Sequence, residues 1–415
     1  MVLLIIIMSK TICNIDFGNE QQILPPLYNR QSIAFLLGAG FSVPKGYPAG
    51  DKINEGIQNF DDYNVHFELS GSLAESKDGS PQENNIHQKY FIFCKRLIKE
   101  YTKIHNSKFD YELFYDFIKS EEAKKERYQL LCADLIDEYY DYNHYLHSII
   151  HIYNQMVLYL LKDKDGKSYY DDEPFRDSVD GYDGFLQYLA QLSKYHIINI
   201  HTLNHDLLFE SFNQTNYINN QLSDGFDEYR SQYYGILEHD HRKYICRLQR
   251  YTGRYNTPIR LYKLHGSIDY VLFSRNKNGI MVPEKYVKSR RYIGNNIIAD
   301  KKSKLGYDES PFEYHPDFLT GATSKINRYN ESLLFKKLFK KFKNNLSKAN
   351  RLIIIGYGCK DKEINNMIKN NFDYKNKPSF IIDECVGNAV KTFAQDINAK
   401  IIKESIKKID KKWFI

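Results

Sequence analysis

Two clusters of polar residues follow short apolar runs and carry side chains that could do chemistry. Asn204 and Asp206 come after the run at 197–200, and His265 follows the run at 261–264. Asparagine can hydrogen-bond a sugar hydroxyl or orient a water molecule without adding charge. Histidine, with an ordinary pKa of about 6.5, can accept a proton from a hydroxyl or water near neutral pH. Because ligands bind where parallel strands end, this pattern predicts a site at these positions.

Each of these residues also has a structural explanation. His265 could be a core histidine bonded to the backbone, and Asn204 could serve only a turn. Asp206 could hold a ligand carboxamide or cap the helix that follows it. We expect His205 to be a bystander.

A glycine-rich turn precedes both clusters. The apolar run at 33–37 predicts a buried strand, and two glycines after it let the backbone turn tightly and approach a ligand. If a helix follows directly, the amides of Gly40, Phe41 and Ser42 would point at a pyrophosphate. The same pattern is also found in ordinary strand-to-helix turns.

Short apolar strands that alternate with helices indicate an α/β fold with a doubly wound parallel sheet. The predicted strands cover 33–37, 197–200, 261–264, 352–355, 379–383 and 400–402. An apolar stripe at 334–346, surrounded by lysines, could bind a membrane or nucleic acid. A crossover helix lying on the sheet explains it better, because a strand pattern follows.

The segment from about 60 to 180 reads as a mainly helical insertion, with apolar residues at helical spacing between 86 and 160. His144, His147 and His151 share a helix face there. They could form a metal face, but aromatic packing is the alternative, and we expect no metal. The segment from about 275 to 325 is basic and turn-rich.

Composition describes a globular protein of 415 residues with a net charge of +6, from 58 basic and 52 acidic residues. This charge is too mild to indicate nucleic acid by itself, so that question stays open. Six cysteines without a C-x-x-C pair suggest neither a zinc ribbon nor a disulfide framework. We therefore expect a cytoplasmic protein.

The apolar opening at 1–8 is too short to cross a bilayer, so we expect no membrane association.

In fixed order, four motifs resemble the sirtuin-like domain, and more narrowly the bacterial branch of that family found in anti-phage defence. They are Gly-Ala-Gly-Phe-Ser at 38–42, Thr-Leu-Asn-His-Asp at 202–206, Lys-Leu-His-Gly-Ser at 263–267, and Ile-Gly-Tyr-Gly at 355–358 with Asp361 and Asn365. Smaller similarities lie at 223–226 and 320–325. The resemblance spans about 30 to 385.

The resemblance implies a Rossmann-like fold, with a sirtuin-like, DHS-like NAD-binding catalytic domain at 30–390. An N-terminal extension at 1–29 and a basic C-terminal segment at 391–415 flank it. Asn204 and His265 match the catalytic positions of the family. The implied NAD-binding residues are Gly38, Ala39, Gly40, Phe41, Ser42, Thr202, Asp206, Gly266, Gly356, Gly358 and Asp383.

Two departures from the family pattern concern the activity. Sirtuin deacylases carry a four-cysteine zinc module and a Pro-Asp-Phe-Arg segment after the glycine turn, and this sequence has neither. The resemblance therefore favours NAD hydrolysis, with NAD as substrate and no zinc. The alternatives are an NAD-dependent protein deacylase, or a non-catalytic nucleotide-binding or nuclease subunit of a defence complex.

An unrestrained NADase would kill its host, so we expect control by another component. By resemblance to two-gene defence systems, the partner would be a HerA-type ATPase encoded nearby. The same resemblance implies a homo-oligomer that acts in abortive infection.

Overall fold

Strands and helices alternate in part of the chain, as the sequence predicts, but residues 86–193 contain helices without a described strand and residues 222–318 contain strands without a described helix. The structure is a computed structural model that describes residues 24–60, 65–67, 73–75, 85–105, 109–136, 141–161, 179–239, 242–277, 280–289, 316–318 and 334–409. The strands are β1 (Gln31–Leu37), β2 (Val65–Phe67), β3 (Leu73–Glu75), β4 (His196–Thr202), β5 (Leu222–Ser223), β6 (Gly225–Asp227), β7 (Tyr234–His239), β8 (Arg242–Arg247), β9 (Gln249–Arg254), β10 (Ile259–Lys263), β11 (Gly266–Lys277), β12 (Ile280–Lys288), β13 (Pro316–Phe318), β14 (Ala349–Ile355), β15 (Ser379–Ile382) and β16 (Ala399–Ile402). The helices are α1 (Gly50–Gln58), α2 (Ile86–His105), α3 (Tyr111–Ile118), α4 (Glu126–Gln129), α5 (Tyr142–Leu161), α6 (Asp183–Ser193), α7 (Leu208–Ser211), α8 (Phe335–Lys348), α9 (Lys362–Asn371) and α10 (Asn388–Asp396).

Seven strands form one sheet in the order β16-β15-β14-β1-β4-β10-β5. Every neighbouring pair in it is parallel. The predicted α/β fold with a parallel sheet is therefore confirmed. β16, which lies beyond the domain boundary predicted at 390, is an edge strand of this sheet.

Both faces of the sheet are covered, as a doubly wound arrangement requires. On one face, Ala34 and Leu36 of β1 pack with apolar residues of α8, α9 and α10. On the other face, Ile33, Phe35 and Leu37 pack with residues of α6 and α7. This two-sided burial explains why β1 is an unbroken apolar run rather than an alternating one.

The apolar stripe of α8 is buried against the sheet, as expected of a crossover helix. Leu338, Phe342 and Leu346 are almost fully inaccessible to solvent. Lys336, Lys340 and Lys343 lie exposed on its other side. Within the described ranges, no helix is long and apolar enough to span a membrane.

A second sheet of five strands, in the order β13-β11-β12-β9-β6, was not predicted. The strands of this sheet pair antiparallel with their neighbours, and β7 and β8 form a separate antiparallel pair. The expectation of a turn-rich segment from 275 was wrong in the described part, because β11 runs to Lys277 and β12 follows. Buried positions of β11 and β12 carry polar residues such as Ser267, Asp269 and Lys288, so these strands lack the continuous apolar runs that marked the parallel strands.

The helical region has its own core, formed by α2, α3 and α5 around residues such as Phe91, Phe114 and Tyr153. The short pair β2–β3 accompanies these helices. Leu207 and Ile268, which lie in the loop after β4 and in β11, belong to the same apolar cluster. The helical region therefore packs against segments next to the predicted site.

The apolar opening at 1–8 and the similarity at 320–325 lie outside the described residues.

Candidate functional site

The predicted site lies at the carboxyl edge of the parallel sheet, where the strand order changes direction. β4 and β10 lie on one side of β1, and β14 and β15 lie on the other. In open α/β sheets, loops diverge at such a switch point and form a crevice for a ligand. Hydrogen bonds and close contacts join the loops that follow β1, β4, β10 and β14. The four sequence motifs therefore meet at one edge of the sheet.

The glycine turn after β1 packs directly against the turn after β14. The Gly38 amide donates to the Ile355 carbonyl at 3.0 Å, and the Gly40 amide donates to the Gly356 carbonyl at 2.9 Å. A Cβ on Gly38 would lie 2.6 Å from the Gly356 oxygen. A Cβ on Gly356, whose φ is +61°, would lie 2.4 Å from the Gly40 carbonyl carbon. These glycines are therefore required for the two turns to meet, independently of any ligand.

We expected the amides of Gly40, Phe41 and Ser42 to point at a pyrophosphate if a helix followed directly, but these amides are used in backbone hydrogen bonds. They donate to the carbonyl oxygens of Gly356, Gly38 and Ala39, respectively, at 2.9–3.0 Å. The reason is that the chain enters a 3₁₀ turn at Ala39–Phe41, not an α-helix, and the turn uses these donors. Ala39 is exposed, and its amide makes no hydrogen bond with any described group. This amide is therefore available to a ligand.

Asn204 is held by the glycine turn. Its Nδ2 donates to the Gly38 carbonyl at 3.0 Å and to Ser42 Oγ at 2.9 Å. Because the Gly38 carbonyl can only accept a hydrogen bond, the side-chain nitrogen must face it. The Oδ1 atom of this half-buried residue has no donor among the described groups. Asn204 therefore has a fixed orientation and an unused acceptor.

Three further predicted residues are buried and hold the loops themselves. Thr202 Oγ1 accepts the Asn204 amide at 3.1 Å. Asp206 Oδ1 accepts the Leu208 amide at 3.0 Å just before α7, although the N-cap residue of that helix is Leu207 and not Asp206. Gly266 has a φ of +84° where β11 begins, a conformation that favours glycine. Ligand contacts by Thr202, Asp206 and Gly266 stay proposals.

His265 lies beside the carboxylate of Asp361. The histidine is only 5% exposed, and its Nε2 is 3.6 Å from Asp361 Oδ2. The other carboxylate oxygen accepts the amides of Glu363 and Ile364 at 3.0 and 3.1 Å and so caps α9. The helix start near Asp361 was predicted, but its proximity to His265 was not. One carboxylate thus caps a helix and faces the candidate catalytic imidazole.

His205, which we expected to be a bystander, lies next to the candidate catalytic histidine. The ring centroids of His205 and His265 are 6.3 Å apart. The His205 carbonyl accepts the Ile268 amide at 3.1 Å. These contacts join the loop after β4 to β11 at the site.

The turn after β14 is held by its own side chains. Asn365 Nδ2 donates to the Cys359 carbonyl at 2.8 Å, and Asn365 Oδ1 lies 3.0 Å from the Tyr357 hydroxyl. Cys359 has a φ of +56°. Burial raises the pKa of its thiol to about 12, so it is not a thiolate nucleophile at neutral pH. Gly358 is exposed, and a Cβ there would meet nothing within 4 Å, so packing does not require this glycine.

Asp383 lies at the carboxyl end of β15. Its Oδ1 accepts the Cys385 amide at 2.7 Å, and partial burial raises the pKa of its carboxyl group. The carbonyl of the preceding residue, Ile382, accepts the Gly356 amide at 2.9 Å, so Asp383 follows directly after a contact with the turn after β14. A contact with the adenosine end of a dinucleotide stays a proposal.

Asp361, Lys263 and Glu210 were not predicted from the sequence as site residues. Lys263, at the end of a strand with apolar neighbours, is fully buried, and its Nζ is 3.1 Å from Glu210 Oε1. A lysine within an otherwise apolar strand pattern is the signal that could have identified this buried ion pair.

No metal centre is seen in the ranges described: they contain no group of three or more His, Cys, Asp or Glu side chains placed to hold an ion. His144 Nε2 lies 2.7 Å from the Tyr90 hydroxyl. The His87 and His151 rings are 6.3 Å apart. The first of these contacts is a hydrogen bond, and the second is an aromatic contact within the helical region.

No protein-family model matches the sequence, and no curated protein matches it. Several solved Sir2 structures align with most of the chain. One, from work on the mechanism and regulation of Sir2 enzymes, has 11% identity and a TM-score of 0.35 and covers 92% of this chain and 90% of its own. A Sir2 protein bound to a propionylated peptide has 11% identity and a TM-score of 0.33, with coverages of 92% and 91%. A Sir2 homologue in complex with ADP-ribose has 11% identity and a TM-score of 0.33, with coverages of 92% and 96%. The chain is thus similar to Sir2 structures at low identity, and we base its α/β assignment on the strand order.

Proposed function

We propose that the protein is an NAD glycohydrolase, which cleaves the bond between nicotinamide and ribose to give nicotinamide and ADP-ribose. The supporting observation is the orientation of Asn204. Its Nδ2 is held by Gly38 and Ser42, so Oδ1 is left to accept a hydrogen bond from a ribose hydroxyl or a water molecule. This acceptor lies at the same sheet edge as His265 and the glycine turn.

Hydrolysis of the bond between nicotinamide and ribose requires only a few groups from a protein. When the bond between nicotinamide and ribose breaks, its electron pair goes to the nicotinamide nitrogen, which loses its positive charge. Positive charge develops on the ribose, and water then adds to the sugar carbon and loses a proton. The protein has to hold the ribose, stabilise the developing cation and accept that proton.

The residues of the site match these demands. Asn204 would hold a ribose hydroxyl or the attacking water. His265 would accept the proton, with Asp361 stabilising the charge that the imidazole gains. The carboxylate of Asp361 is itself fixed by two backbone amides of α9, so it needs no rearrangement during the reaction.

The turns after β1 and β14 would hold the rest of the dinucleotide. The Ala39 amide is available to a phosphate oxygen, and the open space at Gly358 allows close approach of a ligand. Asp383, at the end of β15, is placed for the adenosine end. In this proposal the turns bind NAD and do not take part in bond cleavage.

The motif resemblance extends the proposal to the biological setting. The protein would be an abortive-infection effector in anti-phage defence, forming a homo-oligomer and acting with a HerA-type ATPase. Coexpression of the two proteins, followed by size-exclusion chromatography and measurement of cellular NAD, tests this extension.

The biochemical test is an NAD turnover assay with the purified protein, alone and with the product of the adjacent gene. We expect equal amounts of nicotinamide and ADP-ribose, detected by chromatography. Asn204→Ala and His265→Ala should each lower turnover at least about a hundredfold. Lys369→Ala, which removes only a surface ion pair with Asp396, is the control and should keep full turnover.

Two results would argue against the proposal. The first is intact NAD under both conditions. The second is consumption of NAD only with an acyl-peptide, with deacylated peptide as a product, which would identify a deacylase.

A further inference from the structure

A buried ammonium group lies beneath the loop that carries Asn204. Lys263, the last residue of β10, has no exposed surface. Its Nζ donates to the carbonyl of Asp206 and, at 3.3 Å, to the carbonyl of His205. These carbonyls belong to the two residues that directly follow Asn204. An ammonium has three donors, and two of them thus hold this loop.

The third partner of Lys263 is a carboxylate. Glu210, in α7, has its Oε1 3.1 Å from Lys263 Nζ, and its side chain is 7% exposed. Burial raises the pKa of the Glu210 carboxyl group, and Lys263 opposes that effect. The buried ammonium thus has two carbonyl acceptors and one carboxylate at ion-pair distance, and the carboxylate offsets its charge.

Further charged groups surround this pair. Asp269 is fully buried, 3.7 Å from Lys288 Nζ, and it contributes to the raised pKa of Glu210. Lys288 also pairs with Asp224. The second buried lysine thus resembles Lys263 in burial and charge. It differs because its described partners are the carboxylates of Asp224 and Asp269.

We infer that Lys263 is a positioning residue for Asn204: its ammonium fixes the carbonyls of His205 and Asp206, so that the Asn204 side chain reaches the glycine turn. This inference rests on the proposed NAD cleavage for its kinetic consequence. The structural claim, that Lys263 orders the loop after β4, does not depend on that activity. An apolar side chain of the same length would fill the space but leave two buried carbonyls without this donor.

The test compares Lys263→Met with Lys288→Met. Both variants remove a buried ammonium, and both should lower the melting temperature. Lys263→Met should also lower kcat for NAD about a hundredfold, because small displacements of a positioned group have effects of that size. Lys288→Met should keep kcat within about threefold of the wild type, corrected for the folded fraction.

A double variant, Lys263→Met with Glu210→Gln, separates positioning from stability. It removes both charges of the pair, so it should recover part of the lost melting temperature. Because the donor to the two carbonyls is still missing, kcat should stay low. Recovery of both kcat and melting temperature would show that Lys263 acts only on stability and would overturn the inference.

Hydrogen–deuterium exchange of the segment 203–209 provides a readout that needs no NAD. We expect faster exchange in Lys263→Met and in the double variant than in the wild type or Lys288→Met. Unchanged exchange in Lys263→Met would overturn the inference even if NAD is cleaved. Faster exchange in a protein that never cleaves NAD would refute the proposed function but keep the positioning of the loop.

Discussion

The same two residue types, asparagine and histidine, are found in the body of the sheet and at its carboxyl edge, with different surroundings. In the body, Asn199 Nδ2 donates to Ser32 Oγ at 2.8 Å, and its Oδ1 lies 3.3 Å from the Tyr262 hydroxyl. At the edge, Asn204 uses its nitrogen in the same way, but its Oδ1 has no donor among the described groups.

His201, in the body of the sheet, and His265, at its carboxyl edge, differ in the same way as the two asparagines. His201 Nδ1 is 2.9 Å from the Phe35 carbonyl, and its Nε2 is 3.1 Å from Asn345 Nδ2, so both ring nitrogens have backbone or amide partners. His265 instead faces a carboxylate that lies 3.6 Å away. Residue type therefore does not identify a candidate site here. The position at the strand end and the chemistry of the partners do.

The largest expected effect is on stability, and it distinguishes Gly356, which packing requires, from Gly358, which packing does not require. Gly356→Ala places a Cβ 2.4 Å from backbone atoms of the facing turn, at a φ of +61°. We expect a loss of more than about 4 kcal/mol in the free energy of unfolding, measured by urea denaturation. Gly358→Ala should stay within about 0.5 kcal/mol of the wild type, since its Cβ meets nothing.

The proposed function adds a kinetic expectation for Gly358→Ala, which is a higher KM for NAD at unchanged stability. If Gly356→Ala were as stable as the wild type, the packing explanation of the glycine turns would be wrong.

The next effect concerns the pH dependence of stability caused by His201. Burial lowers the pKa of His201 to about 3, below the ordinary value of 6.5. The unfolded chain therefore binds the proton more tightly, and stability is lost as the pH falls below 6.5. Between pH 6.5 and pH 5 the loss from this residue is about 2 kcal/mol.

His201→Gln keeps hydrogen-bonding groups for Phe35 and Asn345 but cannot titrate. Its free energy of unfolding should therefore change less than that of the wild type over this pH range. Equal pH dependence in the two proteins would show that His201 is not held neutral in the core.

The smallest effect separates the two contacts of Asp361. Asp361→Ser should keep the cap of α9, because serine is a good N-cap residue, but it removes the carboxylate beside His265. We expect unchanged stability and a kcat for NAD about tenfold lower. Asp361→Ala should lower kcat similarly and also cost about 1 kcal/mol of stability. Full activity in Asp361→Ser would remove Asp361 from the proposed mechanism.

Much of the parallel sheet could be predicted because its strands are buried on both faces. The runs at 33–37 and 352–355 are continuously apolar for that reason. The antiparallel sheet could not be predicted in the same way. Residues such as Val271 and Val287 pack into a small core, and their neighbours along the strands need not be apolar.

The site could be predicted only in part. Asn204 and His265 follow strand patterns, so their arrival at one sheet edge follows from the parallel topology. The amides of Gly40, Phe41 and Ser42 donate to backbone carbonyls because the chain forms a 3₁₀ turn after β1. A Gly-x-Gly pattern is compatible with both a 3₁₀ turn and the start of an α-helix, so the sequence did not predict this. The contact of Asp361 with His265 joins residues 96 positions apart, and no local pattern encodes it.

The measurement that tests the account most directly is a comparison of Asn204→Ala with Asn199→Ala in kcat for NAD and in melting temperature. Asn204→Ala should lower kcat at least about a hundredfold with a small change in melting temperature. Asn199→Ala leaves Ser32 and Tyr262 without their amide partner, so it should cost about 1–3 kcal/mol of stability while the folded protein keeps its kcat. Equal kcat values for the wild type and Asn204→Ala would contradict the assignment of the strand edge as the active site.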